Sequence, residues 1–297
     1  MKIGLQVHRF DWPGGTTAIG PTLARVARTA DEAGFDSIWL MDHFFQIRGL
    51  GPAEDPMLEG WTALGFMAAH TRRAHLGLMV GGVHHRLPGL WVKAATTLDV
   101  LSGGRAWLGI GAAWNEEESA ALGFPMPPLG TRFEMLEETL RIARAMWTGE
   151  RGTEEAFDGR HFRAARLLNS PQSISRPRVP ILVGGGGEQK TLRLVAQYAD
   201  AANVFGDAER LAHKYAVLRD WCRRVGRQYE EIERTTLTMT RLGDGRTGTE
   251  TASAIEDRFG ALAAAGAQHV IVGIGPDGHE PATLERWADV IPRLRAL

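Results

Sequence analysis

The chain has 297 residues, a formal net charge of −1 and one cysteine, Cys222. Near-neutral charge and a pI near 6.8 lack the basic footprint of a nucleic-acid binder. A lone cysteine excludes an internal disulfide and suits a cytoplasmic protein, and no apolar run reaches the roughly 18 residues that a membrane span needs.

The N-terminal "MKIGLQVHRF" reads as a first strand at 3–7, with a polar residue inside its apolar run and no small-residue cleavage site. Seven further apolar runs follow at 37–41, 75–80, 105–111, 180–184, 200–205, 235–240 and 269–275. Helical spacing lies between them. Leu23, Val26, Ala27 and Ala30 share one face, then Met57, Trp61, Leu64 and Ala68, then Trp91, Ala94, Leu98 and Leu101. Phe133, Leu136, Leu140, Ala143 and Trp147 continue the pattern, and Thr131 with Glu134 has the spacing of a capping box. Four more amphipathic stretches follow, carrying Leu192 to Ala199, Leu211 to Val225, Ala252 to Leu262 and Leu284 to Ile291. Several strands are apolar on both faces, as in a parallel sheet covered by helices. Strand–helix alternation repeated eight times predicts a (β/α)8 barrel in a single domain, 1–297. The rhythm breaks at about 149–180, an expected insertion between the fourth helix and the fifth strand, with "FDGRHFRAA" as a short hairpin.

Reactive groups of such a barrel gather at the C-terminal ends of its strands. There the sequence places His8-Arg9-Phe10, Asp42-His43-Phe44-Phe45, His84-His85, "GAAWNEEE" with Trp114 and Asn115, and the glycine run Gly184 to Gly187. Asp42 and His43 at the end of an apolar strand fit the rim of a pocket. The adjacent histidines 84 and 85 lack the spacing of a metal site, so no metal is expected. The three glutamates at 116–118 suit the N-terminus of a helix. Gly184–Gly187 join a buried strand to a helix, which lets backbone approach an anion at the helix N-terminus, with Lys190 or Arg193 nearby to assist. The run lacks the lysine pattern of a nucleotide P-loop.

In "GFDSIWLMDHF", "VKAATTLDVLSGGRAWLGIGAAWNEEE", "LGTRFEMLEETLRIARAMW" and "PILVGGGGEQKTLRLVAQYADAANVFG", the chain resembles the luciferase-like monooxygenase superfamily, most of all its branch using the deazaflavin coenzyme F420. The resemblance implies an oxidoreductase acting by hydride transfer on a small-molecule substrate. It implies that Asp42 contacts the cofactor ring and that His43 donates or accepts the proton. Met79 and Val80 stand where the family has a bulge with a non-proline cis peptide behind the ring. Gly184, Gly185, Gly186 and Gly187 match the segment that binds the cofactor phosphate. His8, Phe44, Phe45 and Trp114 are the expected substrate-pocket residues, favouring a substrate with an apolar body. No counterpart of a sugar-phosphate cluster is evident. Flavin mononucleotide with oxygen is the alternative chemistry, a non-catalytic cofactor-binding paralogue is a second alternative, and a homodimer is compatible with the family.

Overall fold

The computed structural model describes residues 1–149 and 152–297. In chain order the elements are β1 (Lys2–Val7), α1 (Thr16–Ala33), β2 (Ser37–Leu40), α2 (Gly60–Ala68), β3 (His75–Leu78), β4 (Gly81–Gly82), α3 (Pro88–Ser102), β5 (Ala106–Gly111), α4 (Glu116–Leu122) and α5 (Leu129–Thr148). A short hairpin, β6 (Phe157–Asp158) and β7 (Arg163–Ala164), precedes β8 (Ile181–Gly184), α6 (Thr191–Tyr198), β9 (Ala201–Asn203) and α7 (Ala208–Val225). The chain continues with β10 (Glu233–Met239), α8 (Ala252–Ala264), β11 (His269–Gly273), α9 (Pro281–Glu285) and α10 (Trp287–Arg295).

The large sheet is parallel, in the order β3-β2-β1-β11-β10-β9-β8-β5, and the β3–β5 pairing closes it into the expected barrel. The two-residue β4 continues the third position and pairs with β5. Side chains alternate along each strand. Trp39, Met79, Leu182, Ala201 and Ile271 fill the barrel interior, while Ile38, Leu40, Val183 and Ala202 pack outward under the helices. Between β3 and β4 the Met79–Val80 peptide is cis, at the position the resemblance implied. Gly109 makes room for this bulge, because a Cβ there would lie 1.8 Å from the Leu78 carbonyl oxygen. No helix among the described residues is long and apolar enough to cross a membrane.

Two local expectations change, and the helix start expected at the three glutamates is found. The fourth predicted helix starts at Leu129, behind Pro128 in an extended conformation. Thr131 and Glu134 therefore lie inside α5, and no capping box forms. Glu134 instead pairs with His161 at 2.7 Å and Arg160 at 3.0 Å. On α3 the buried face is Trp91, Val92, Ala95 and Leu98, while Leu101 is 70% exposed. An additional helix, α4, carries the three glutamates and ends at Gly123 in the left-handed conformation.

The segment between α5 and β8 reaches the core through Leu167 and Val179, and carboxylates tie down its irregular backbone. Glu138 accepts the backbone N–H groups of Arg160, His161 and Phe162 beside the hairpin. Asp99 accepts those of Ile174 and Ser175 and the Ser175 hydroxyl. Buried acceptors of this kind substitute for the ladder hydrogen bonds that irregular backbone lacks.

Candidate active site

At the C-terminal mouth of the barrel lies a cavity of about 450 Å³. The second strand delivers Asp42 and His43 to it, the bulge delivers Met79 and Val80, and the eighth delivers Gly184 to Gly187. Its outer wall is apolar: Trp114 is 60% exposed, Leu129 54% and Phe205 52%, and Phe133 lies behind them.

His43 is fixed by a residue from the helix that follows β5. Its Nδ1 lies 3.1 Å from Oε1 of Glu118, the last of the three glutamates on α4. Glu118 is fully buried, and its Oε2 accepts the backbone N–H groups of Phe44 and Phe45, the latter at 3.0 Å. Burial works to raise the Glu118 pKa. The hydrogen bond from His43, those two N–H groups and the neighbouring imidazole outweigh burial and hold the carboxyl below its ordinary value. An ionised Glu118 only accepts, so Nδ1 of His43 carries a proton and the neutral ring keeps its lone pair on Nε2. Trp114 packs edge-on against the same imidazole, with centroids 5.4 Å apart.

Asp42 serves a second cluster. Its carboxylate takes a two-pronged contact from Arg86 at 2.8 and 2.9 Å, His85 Nδ1 at 2.9 Å and the Gly82 N–H at 3.1 Å. Arg86 also reaches Glu59. Burial opposes the Arg86 charge, but Asp42 and Glu59 together keep its pKa above the usual arginine value. His85 Nε2 lies 3.9 Å from Glu118 Oε1, so the two clusters meet. His84 turns the other way, with Nε2 2.8 Å from the Ser119 hydroxyl. Burial first, then the neighbouring His85 and Arg132, lowers its pKa to about 4. Among the described residues no group of three His, Cys, Asp or Glu is placed to hold a metal ion.

The glycine run is a cradle that side chains would fill. A Cβ on Gly184 would lie 2.8 Å from Val80 Cγ2, and one on Gly187 2.9 Å from Thr191 Oγ1. Gly185 has φ +122°, a conformation that L residues rarely adopt. A turn of three residues, 188–190, separates the run from α6, which begins at Thr191 rather than directly after Gly187. Arg193 points away and pairs with Glu137 at 2.7 Å, so it is not free to assist an anion. Lys190 Nζ sits 5.5 Å from the Phe133 ring centroid.

Asp42, His43, Met79, Val80, Trp114 and Gly184–Gly187 thus share one cavity. His8, Phe44 and Phe45 are not among its lining residues. His8 is buried in a separate small space with Trp12 and His279, its Nδ1 3.3 Å from the Gln6 carbonyl. Phe10 packs against Trp12 there. Phe44 turns behind the site onto Phe124 and His85. The residues that strand-end reading missed are Glu118, Arg86 and Asn203, although "NEEE" and "HHR" carried the first two in plain view.

Residues 1–290 match the family of luciferase-like monooxygenases, and the chain belongs to it. It is similar to a protein described as F420-dependent glucose-6-phosphate dehydrogenase from Nakamurella multipartita, 32% identical over 96% of this chain and 80% of that protein. Among solved structures it is similar in fold to an F420-dependent secondary alcohol dehydrogenase holding an F420–acetone adduct, with a TM-score of 0.82 and 17% identity over 99% of each chain. It is also similar to a monooxygenase from Streptomyces bottropensis, with a TM-score of 0.81 and 19% identity over 98% of this chain and 99% of that one.

Proposed function

We propose that this protein is an F420-dependent oxidoreductase that moves a hydride between the deazaflavin and an uncharged alcohol or carbonyl compound. The observation that carries this reading is the pairing, in one cavity, of a carboxylate-oriented imidazole with a side-chain-free glycine cradle. The relative's F420-dependent description supports the choice of cofactor. In this reading 1–297 is one barrel domain with an insertion at about 149–180, and the cytoplasm suits its single buried Cys222. Exposed Leu87 and Leu90 at the start of α3 support a homodimer.

The cradle fits a phosphate. Gly184–Gly187 carry no side chains to keep an anion off, although the Gly185 N–H is taken by the Asn203 carbonyl and the Gly187 carbonyl by the Leu192 N–H, and the N-terminus of α6 supplies the positive end of its dipole. Val80, close against Gly111 and Gly184, would back the ring, and Asp42 lines the same cavity. When bound, the deazaflavin supplies a carbon centre that accepts or gives a hydride. The protein supplies the rest. In the oxidation direction, His43 Nε2 takes the hydroxyl proton as the hydride leaves the substrate carbon; in reduction it returns that proton to the developing alkoxide. Glu118 keeps the imidazole turned for this step and stabilises its protonated form. Trp114, Leu129, Phe133 and Phe205 exclude water and hold the apolar body of the substrate. Among the described residues no lysine or arginine lines the cavity. With the cradle occupied by cofactor, no lysine or arginine among the described residues of the cavity wall is left for a substrate phosphate, which argues against a sugar phosphate.

The test is titration of the purified protein with F420 and with flavin mononucleotide, followed by turnover on paired uncharged and phosphorylated alcohols. Tight F420 binding and turnover of the uncharged member are expected. Preference for flavin mononucleotide would replace this reading with the monooxygenase chemistry of the wider family.

A further inference from the structure

Asn203 ends β9 on the inner face of the barrel, two residues beyond the inward-facing Ala201. It is 1% exposed and lines the floor of the main cavity. Its Nδ2 donates to Thr235 Oγ1 at 2.8 Å, but its Oδ1 has no hydrogen-bond partner. A buried carboxamide with half its capacity unused is costly to fold, and such groups mark places where a ligand completes the bonding. The chemistry assigned to Asp42, His43 and Glu118 makes no use of it.

Its position limits what that ligand group is. Asn203 is in register with Gly184, and its backbone carbonyl accepts the Gly185 N–H at 2.9 Å. Gly184 in turn abuts Val80. Asn203 therefore sits between the bulge that backs the ring and the glycines that take the phosphate. In F420, as in flavin mononucleotide, a hydroxylated ribityl chain joins ring to phosphate. We infer that Asn203 hydrogen-bonds a hydroxyl of this chain, and so sets the distance between ring and phosphate across the barrel mouth. This rests on the cofactor reading above. A hydroxyl both donates and accepts, so it satisfies the carboxamide whichever way its two ends are turned.

The inference separates a ligand-binding group from a structural one, because it predicts opposite effects on stability and affinity. The double variant Asn203→Leu with Thr235→Val removes both partners of the internal bond and the unsatisfied oxygen, and fills the space with apolar groups of similar shape. The ligand-free double variant should melt at or above the wild-type temperature, while its Kd for F420 rises about tenfold. Thr235→Val alone, which keeps the carboxamide, should bind F420 more tightly than the double variant. The double variant should bind inorganic phosphate as the wild type does, since the glycine cradle is untouched. Unchanged F420 affinity in a folded double variant would overturn the inference, and so would a lower melting temperature with unchanged affinity. A wild type that binds neither F420 nor flavin mononucleotide is a different result, which removes the cofactor reading and this contact with it.

Discussion

Glu118 and His43 meet across 75 residues of sequence, with the carboxylate Oε1 3.1 Å from the imidazole Nδ1. The same carboxylate collects the N–H groups of Phe44 and Phe45. One buried acid therefore fixes both the backbone that follows the second strand and the ring that the strand presents. Its two neighbours on α4, Glu116 and Glu117, are not buried and do the ordinary work of charges at a helix N-terminus.

Replacing Glu118 by Gln should separate these roles. The amide oxygen can still accept the Phe44 and Phe45 N–H groups but does not stabilise a protonated His43, so turnover should fall by about tenfold to a hundredfold while F420 affinity stays near wild type. Stability should respond to pH with a definite sign. A carboxyl whose pKa is lowered on folding adds stability that is complete above the unfolded value, about 4.3, and is lost as pH falls through the lower folded value. Denaturant midpoints measured from pH 5 downward should therefore drop less steeply in E118Q than in wild type. Parallel curves would mean that the buried acid carries no such linkage.

His43→Ala is the direct test of the proton step. Its ring is held by Glu118 and Trp114, and no main-chain hydrogen bond depends on it among those described. The variant should fold and bind cofactor, with turnover down roughly 10²–10⁴-fold. A variant as active as wild type would reduce His43 to scaffolding for Glu118.

Much of this was visible in the sequence, for reasons that differ by residue. The barrel was legible because apolar runs and 3.6-residue spacing alternate without interruption until Gly149. The glycine run was legible because four residues without side chains after a buried strand have few other uses. Glu118 was not, since three consecutive glutamates look alike until the turn of α4 buries the third. The resemblance implies pocket roles for His8, Phe44 and Phe45, which follow strands in the sequence. Sequence adjacency does not fix direction, and in the structure Phe44 turns back onto Phe124 while His8 turns toward the Gln6 carbonyl. Arg86 follows two histidines and gives no hint that it neutralises Asp42, 44 residues away.

His84 provides a second pH signature in a separate window. Burial, with His85 and Arg132 adding to it, lowers its pKa from 6.5 to about 4. A histidine kept neutral by folding adds stability that is complete above the unfolded value and is lost as pH falls from about 6.5 toward 4. Few carboxylates titrate over most of that range, so the drop should be visible in wild type. Burial lowers His8 and His75 as well, so His84→Gln, which keeps a donor for the Ser119 hydroxyl, should reduce the drop without abolishing it. An equal drop in the variant would assign the effect to another group.

The anion cradle is tested most cleanly at Gly186. Gly185 has φ +122°, so any substitution there strains the turn before it meets a ligand. At Gly187 a Cβ would press on Thr191 Oγ1 at 2.9 Å, and at Gly184 on Val80 at 2.8 Å. At Gly186 a Cβ would meet only Val204 Cγ1 at 3.6 Å and Lys214 Cε at 3.8 Å, both ordinary contacts. Its φ is outside the left-handed region, so a larger residue fits the backbone. Gly186→Leu should therefore keep a native circular dichroism spectrum, while its side chain, directed toward Val204 and Lys214, crowds the backbone ahead of α6 and hinders approach of a phosphate there. F420 affinity should fall by at least tenfold, with inorganic phosphate binding falling alongside it. Gly185→Ala should lose stability as well as affinity. A folded Gly186→Leu protein that binds F420 as tightly as wild type would place the phosphate elsewhere on the barrel mouth.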